Sequence, residues 1–71
     1  MELSARNQLP GTVTNITLGA VMAEVTIKLP GGEEVVSAVT RASVERMGIA
    51  VGSEVVAVIK ATEVLIGKKS S

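Results

Sequence analysis

From Val21 to Leu29 every odd position is apolar (Val21, Ala23, Val25, Ile27, Leu29), while Glu24, Thr26 and Lys28 fall on the other face. A period of two cannot make an apolar stripe on a helix, so the run reads as a strand with one side turned to a core. Pro30-Gly31-Gly32 then supplies turn chemistry, and the pattern resumes from Glu34 to Val39, which predicts a hairpin. Upstream, Pro10-Gly11 breaks the pattern, and Thr12 to Leu18 alternates β-branched and polar residues as a further half-buried strand. The stretch Thr40 to Gly48 differs. Thr40 or Ser43 can cap a helix, Val44 and Met47 lie three apart, and Gly48 suits a left-handed terminus, so one short helix is expected.

Beyond Gly52, the residues Val55, Val56, Ala57, Val58 and Ile59 are apolar on both faces of a strand, which then needs cover on both sides. Ala61-Thr62 interrupts it, Glu63 to Ile66 reads as a short final strand, and residues 67–71 form a polar tail expected to fray. The expectation is all-β: a small five-stranded barrel of the oligonucleotide/oligosaccharide-binding type with one short helix, as a single domain over residues 1–71. At 71 residues a core is barely sufficient, and the chain is 46% apolar without any Phe, Tyr, Trp or Cys. A chain so short, with neither aromatics nor disulfides, gains its missing burial by oligomerising.

The same composition removes whole classes of function. Without His or Cys the usual transition-metal ligands and nucleophile–base pairs are missing, and the scattered carboxylates suit only hard cations, so neither a metal site nor an enzyme is expected. Gly31-Gly32 lacks the flanking residues of a phosphate-binding loop and sits in a hairpin. Seven basic and seven acidic residues balance to zero, and no aromatic platform exists for stacking bases, so nucleic acid is not an expected partner. The first ten residues lack the apolar core of a secretory signal, and no apolar stretch reaches the roughly 20 residues of a membrane span. A soluble, cytoplasmic protein without a membrane partner is the expectation.

What remains is a pair of segments, Leu3 to Gln8 and Val58 to Val64, each combining small hydroxyl residues with one cation. A tetrahedral oxyanion presents only acceptors, so its site needs converging donors, and Ser4, Arg6, Lys60 and Thr62 supply that set. On spacing alone, Arg6 and Lys60 read as solvated charges and Ser4 and Thr62 as turn residues, with the anion cradle as the alternative.

Four stretches, Ser-Ala-Arg-Asn-Gln-Leu-Pro-Gly at 4–11, Gly-Ala-Val-Met-Ala-Glu-Val at 19–25, Thr-Arg-Ala-Ser-Val-Glu-Arg-Met-Gly at 40–48 and Gly-Ser-Glu-Val-Val-Ala-Val-Ile-Lys-Ala-Thr-Glu-Val at 52–64, resemble the molbindin (Mop-like) family, within a wider class of transport-associated oligomer-binding domains. The resemblance implies a five-stranded barrel-like subunit, a homohexamer arranged as a trimer of dimers, and molybdate or tungstate held between subunits, with no organic cofactor. By position it implies one class of site from Ser4, Ala5, Arg6, Lys60, Ala61 and Thr62. A second class would use Gly19, Ala20 and Val21 with Ser37, Val39 and Thr40, largely through main-chain N–H groups. For Gly19, Ala20 and Ser37, a plain turn and an inward-facing small residue are the competing readings. The implied function is storage or buffering of the oxyanion. The alternatives are a molybdate-sensing part of a larger regulator or transporter, and an assembly module without ligand.

Overall fold

The alternating run forms β2 (Met22–Lys28) in the computed structural model, which describes residues 3–70. Met1, Glu2 and Ser71, which the expected domain span and polar tail include, lie outside the described residues. β2 is flanked by β1 (Asn7–Leu18) and β3 (Glu34–Thr40), and β4 (Glu54–Ile59) pairs with the other side of β1, giving an antiparallel sheet in the order β3-β2-β1-β4. The glycine turn joins β2 to β3 as expected, with Gly32 at a positive φ of 97° and its N–H donated to the Leu29 carbonyl.

Helix α1 (Arg41–Met47) follows β3 without a linker. Thr40 is its N-cap: the Oγ1 accepts the Ser43 N–H at 3.1 Å, which decides between the two candidate caps. Gly48 ends the helix at φ 64°, in the left-handed conformation that its lack of a Cβ permits. Val44 is the helix's buried residue, and it plugs the core built by Val13, Ala23, Val25, Ile27 and Ala57. Every member is aliphatic and small.

Two expectations need correction. Pro10-Gly11 does not break the first strand, because β1 starts at Asn7 and runs through both residues while paired to β4, with Pro10 opposite Val56 and Gly11 opposite Val55. Backbone bonds at Val13–Ser53 fix the phase of that ladder, so odd residues of β1 are the ones bonded to β4. Pro10 therefore lies in a non-bonded pair, with its nitrogen turned toward the side where β2 has already ended, and costs no hydrogen bond.

The second correction is the strand count: four strands are found among the described residues where five were expected. Glu63–Ile66 joins no ladder among the described residues. Instead Ala61–Glu63 forms a 3-10 turn, in which the Glu63 N–H donates to the Lys60 carbonyl at 2.8 Å, and the chain leaves β4 there. The apolar segment Val64 to Ile66 joins neither outer edge of the sheet and stays exposed. Residues 67–70 are likewise exposed and carry no regular structure.

Candidate functional site

The β1–β4 ladder ends at the pair Asn7 and Ile59, so the chain delivers Ser4-Ala5-Arg6 and Lys60-Ala61-Thr62 to the same end of the sheet although they lie more than fifty positions apart. Two side-chain bonds tie this end together. Asn7 Nδ2 donates across the ladder to the Ile59 carbonyl at 3.1 Å, and Gln8 Nε2 reaches back to the Ala5 carbonyl at 2.9 Å. Each bond pairs one side-chain donor with one main-chain acceptor, so the two fix the geometry of this end without changing its balance of donors and acceptors.

Those donors are accessible. Ser4, Arg6, Lys60, Ala61 and Thr62 are exposed and Ala5 is half-buried. Among the described residues neither Arg6 nor Lys60 is in an ion pair, the one pair being Arg41 with Glu45 at 3.0 Å. The first N–H groups of a 3-10 turn have no partner within it, and those of Ala61 and Thr62 make no hydrogen bond among the described residues. The set is two hydroxyls, two cations and free main-chain N–H groups, with the exposed Glu63 as the nearby carboxylate in the same turn. Such an arrangement can hold an anion.

Gly19, Ala20 and Val21 form the turn from β1 to β2, where the Gly19 N–H donates to the Met22 carbonyl at 2.7 Å. Across it, Thr40 stands opposite Met22, Val39 opposite Ala23 and Ser37 opposite Val25. The structure thus brings the turn next to Thr40 and places Ser37 further along the sheet. The bonds Arg41 N–H to Val21 carbonyl and Leu29 N–H to Glu33 carbonyl bracket the β2–β3 ladder and fix its phase. By that phase the N–H groups of Ser37 and Val39 point at β2, whereas those of Val36, Ala38 and Thr40 point outward. The N–H groups of Ala20 and Val21 make no hydrogen bond among the described residues.

Two residues at these places carry no assignment from sequence reasoning. Asn7 locks the end of the ladder to Ile59. Arg41 holds the 19–21 turn by its backbone N–H on the Val21 carbonyl at 2.8 Å and by its guanidinium on the Gly19 carbonyl at 3.3 Å. No local spacing signals either bond, since the partners are 52 and 22 positions away.

The TOBE domain family matches residues 3–66. Molybdenum-pterin-binding protein 1 of Clostridium pasteurianum is 44% identical over 66 residues, 93% of this chain and 97% of that protein. Among solved structures, a molybdate-binding protein from Sporomusa ovata superposes with a TM-score of 0.90 at 40% identity, over 96% of this chain and 100% of that one. The cytoplasmic molybdate-binding protein ModG, solved with molybdate bound, superposes with a TM-score of 0.88 at 51% identity over 92% of this chain, which spans 46% of the ModG chain. These relatives are named as binding proteins.

Proposed function

The chain belongs to the TOBE domain family, and from that premise we propose that it binds molybdate or tungstate between copies of itself and stores or buffers the anion in the cytoplasm, without catalysing a reaction. The observation that carries this reading is the convergence of Ser4, Ala5 and Arg6 with Lys60, Ala61 and Thr62 at the end of the β1–β4 ladder. Its donors match an anion that offers only acceptors, and molybdate-binding relatives of the same fold support the choice of anion. Ala20 and Val21 offer main-chain N–H groups without a hydrogen bond among the described residues, and Thr40 an outward one, for the second class of site, with Gly19 shaping the turn and Ser37 and Val39 on the neighbouring strand.

Molybdate is a full dianion at neutral pH, whereas phosphate is partly protonated and needs an acceptor for its proton. A donor-rich site therefore favours the unprotonated dianion. Sulfate, equally unprotonated, is discriminated by size. A site open to water on one subunit is weak, because each hydrogen bond competes with solvent. Closing it with a second copy strengthens every bond. A homohexamer built as a trimer of dimers supplies such closure.

Calorimetric titration of the anion-free protein with molybdate and then sulfate, with the mass measured by light scattering, tests this. The expected result is saturable molybdate binding to an oligomer with sulfate competing poorly. Each of Arg6→Ala and Lys60→Ala removes a charge-assisted donor and is expected to weaken binding by about 10- to 100-fold while the far-UV spectrum is retained. An oligomer giving no heat with either anion refutes the binding reading and leaves an assembly module. Wild-type affinity in either variant refutes the first class of site.

A further inference from the structure

Arg41 stands where its own helix gains little from a cation. It is the first residue of α1, the end at which the helix dipole disfavours positive charge, and its pair with Glu45 runs in the less favourable order along the helix. Both side chains of that pair are exposed, at 44% and 65%, and such a pair contributes little to stability. The guanidinium reaches out of the helix instead. With Nε on the Glu45 carboxylate at 3.0 Å, it donates from Nη1 to the Gly19 carbonyl at 3.3 Å, 22 positions upstream.

That carbonyl shares a peptide plane with the Ala20 N–H. In a trans peptide the two point in opposite directions, and no peptide bond among the described residues is cis. Holding the Gly19 oxygen against Arg41 therefore turns the Ala20 N–H away from the guanidinium. Among the described residues no other donor reaches the Gly19 carbonyl, and the Ala20 N–H makes no hydrogen bond. The other bond of Gly19, its N–H on the Met22 carbonyl at 2.7 Å, leaves the following peptide free to turn, and no Cβ resists rotation about its ψ. Without the guanidinium this peptide can flip and present its oxygen where the N–H had been. An oxygen there repels an anion.

We propose that Arg41 is a positioning residue for the second class of site: held by Glu45, it fixes the Gly19–Ala20 peptide with the N–H turned out toward the oxyanion. The anion then lies across the peptide from the guanidinium, and Arg41 does not touch it. The planar fork suits this task, because two of its nitrogens serve Glu45 and Gly19 at once. Its charge also polarises the carbonyl it holds, which strengthens the N–H of the same peptide as a donor. The Arg41 backbone N–H adds a second anchor on the Val21 carbonyl at 2.8 Å, so one residue clamps the carbonyls on either side of the Ala20–Val21 peptide. The role deepens the proposed function and rests on its second class of site.

The test follows the backbone amide resonances of the full, isotope-labelled chain as molybdate is added, reading the second class of site at Ala20 and the first at Thr62. In the wild type both resonances are expected to shift. Arg41→Met is expected to weaken the binding read at Ala20 by about 10-fold, the order of one charge-assisted hydrogen bond, and to leave that read at Thr62 within about twofold. The difference at Ala20 is expected to persist in 1 M sodium chloride, where the Debye length is about 3 Å and a through-space charge is screened. Equal affinity at Ala20 in the two proteins, equal weakening at both sites, or a difference that vanishes in high salt overturns the positioning role. Glu45→Ala removes a negative charge, which alone would strengthen anion binding, yet a weakening of about threefold is expected at Ala20. Strengthening there overturns the part given to Glu45. Wild-type shifts at Thr62 alone sink the role of Arg41 and leave the first class of site standing, whereas no shift at either residue sinks the proposed function with it.

Discussion

Replacing Gly11 by Ala sets two opposed terms against each other, and the geometry decides between them. Glycine within a strand costs about 0.5–1 kcal/mol relative to alanine through its greater freedom in the unfolded chain, so the substitution begins with a gain of that size. Against it, a Cβ at this position would stand 2.7 Å from Ile27 Cγ2, 2.7 Å from the Lys28 carbonyl oxygen and 3.2 Å from Leu29 Cδ2. Carbon contacts relax near 3.5–4.0 Å, so about 1 Å must be found. Ile27 is buried and cannot swing into solvent. The Lys28 oxygen is main chain, and Lys28 forms the last pair of the β1–β2 ladder with Thr12. Relief therefore comes from overpacking the core, at about 1–3 kcal/mol, or from opening that last pair at about 1 kcal/mol. Because Ile27 still blocks the methyl when that pair opens, the overpacking cost applies. About 2 kcal/mol from the middle of its range, less the gain, leaves a net loss of about 1–1.5 kcal/mol, or about 4–12 °C in the midpoint for a domain of this size. Far-UV circular dichroism melting at one fixed protein concentration measures it, because the chain has no aromatic residue to follow by fluorescence. A midpoint equal to or above wild type would refute the reasoning, since it would mean β2 yields to the methyl without loss.

Thr40→Ala removes the oxygen that accepts the Ser43 N–H and is expected to cost about 1 kcal/mol, read as a lower melting midpoint, with Thr40→Ser restoring most of it. Gly48→Ala meets no atom within 4 Å but places a Cβ at φ 64°, so a loss of about 1 kcal/mol should arise from backbone strain alone, and Gly48→Asn should recover part of it. Val13→Ala empties the most deeply buried side chain, at 1% exposure, and is expected to cost about 1.5–3 kcal/mol in urea unfolding, more than either helix-end change.

Local chemistry was legible where it acts on adjacent residues. The alternation around Val25, the glycine turn after Pro30 and the capped helix between Thr40 and Gly48 each state their own structure, and the structure agrees with all three. Pro10 and Gly11 misled because their roles depend on what lies across the sheet. The proline faces the side where a neighbouring strand has ended, and the glycine lies under Ile27 and Lys28, relations that no local window contains. Glu63 to Ile66 has strand composition, yet a strand exists only by pairing, and among the described residues it joins neither outer edge. The candidate site shows the same division. Residue types in Ser4 to Arg6 and Lys60 to Thr62 suggested donors for an anion, but their meeting at the Asn7–Ile59 pair is a property of the ladder.

β1 slips register between Val13 and Asn15, so that Thr14 is the extra residue of a bulge, while the other two ladders run without interruption. Val13 is buried and Ile16 half-buried, with Thr14 and Asn15 both exposed between them, so the two inward residues are three apart instead of two. Elsewhere in the sheet, deleting one residue would invert every side chain beyond it. At Thr14 the deletion would restore plain alternation and leave Val13 and Ile16 facing inward, sacrificing only the added bend. Among homologous chains, this is the point within a strand where a change of length conserves the core, and where gaps in an alignment can fall inside the sheet rather than in its loops.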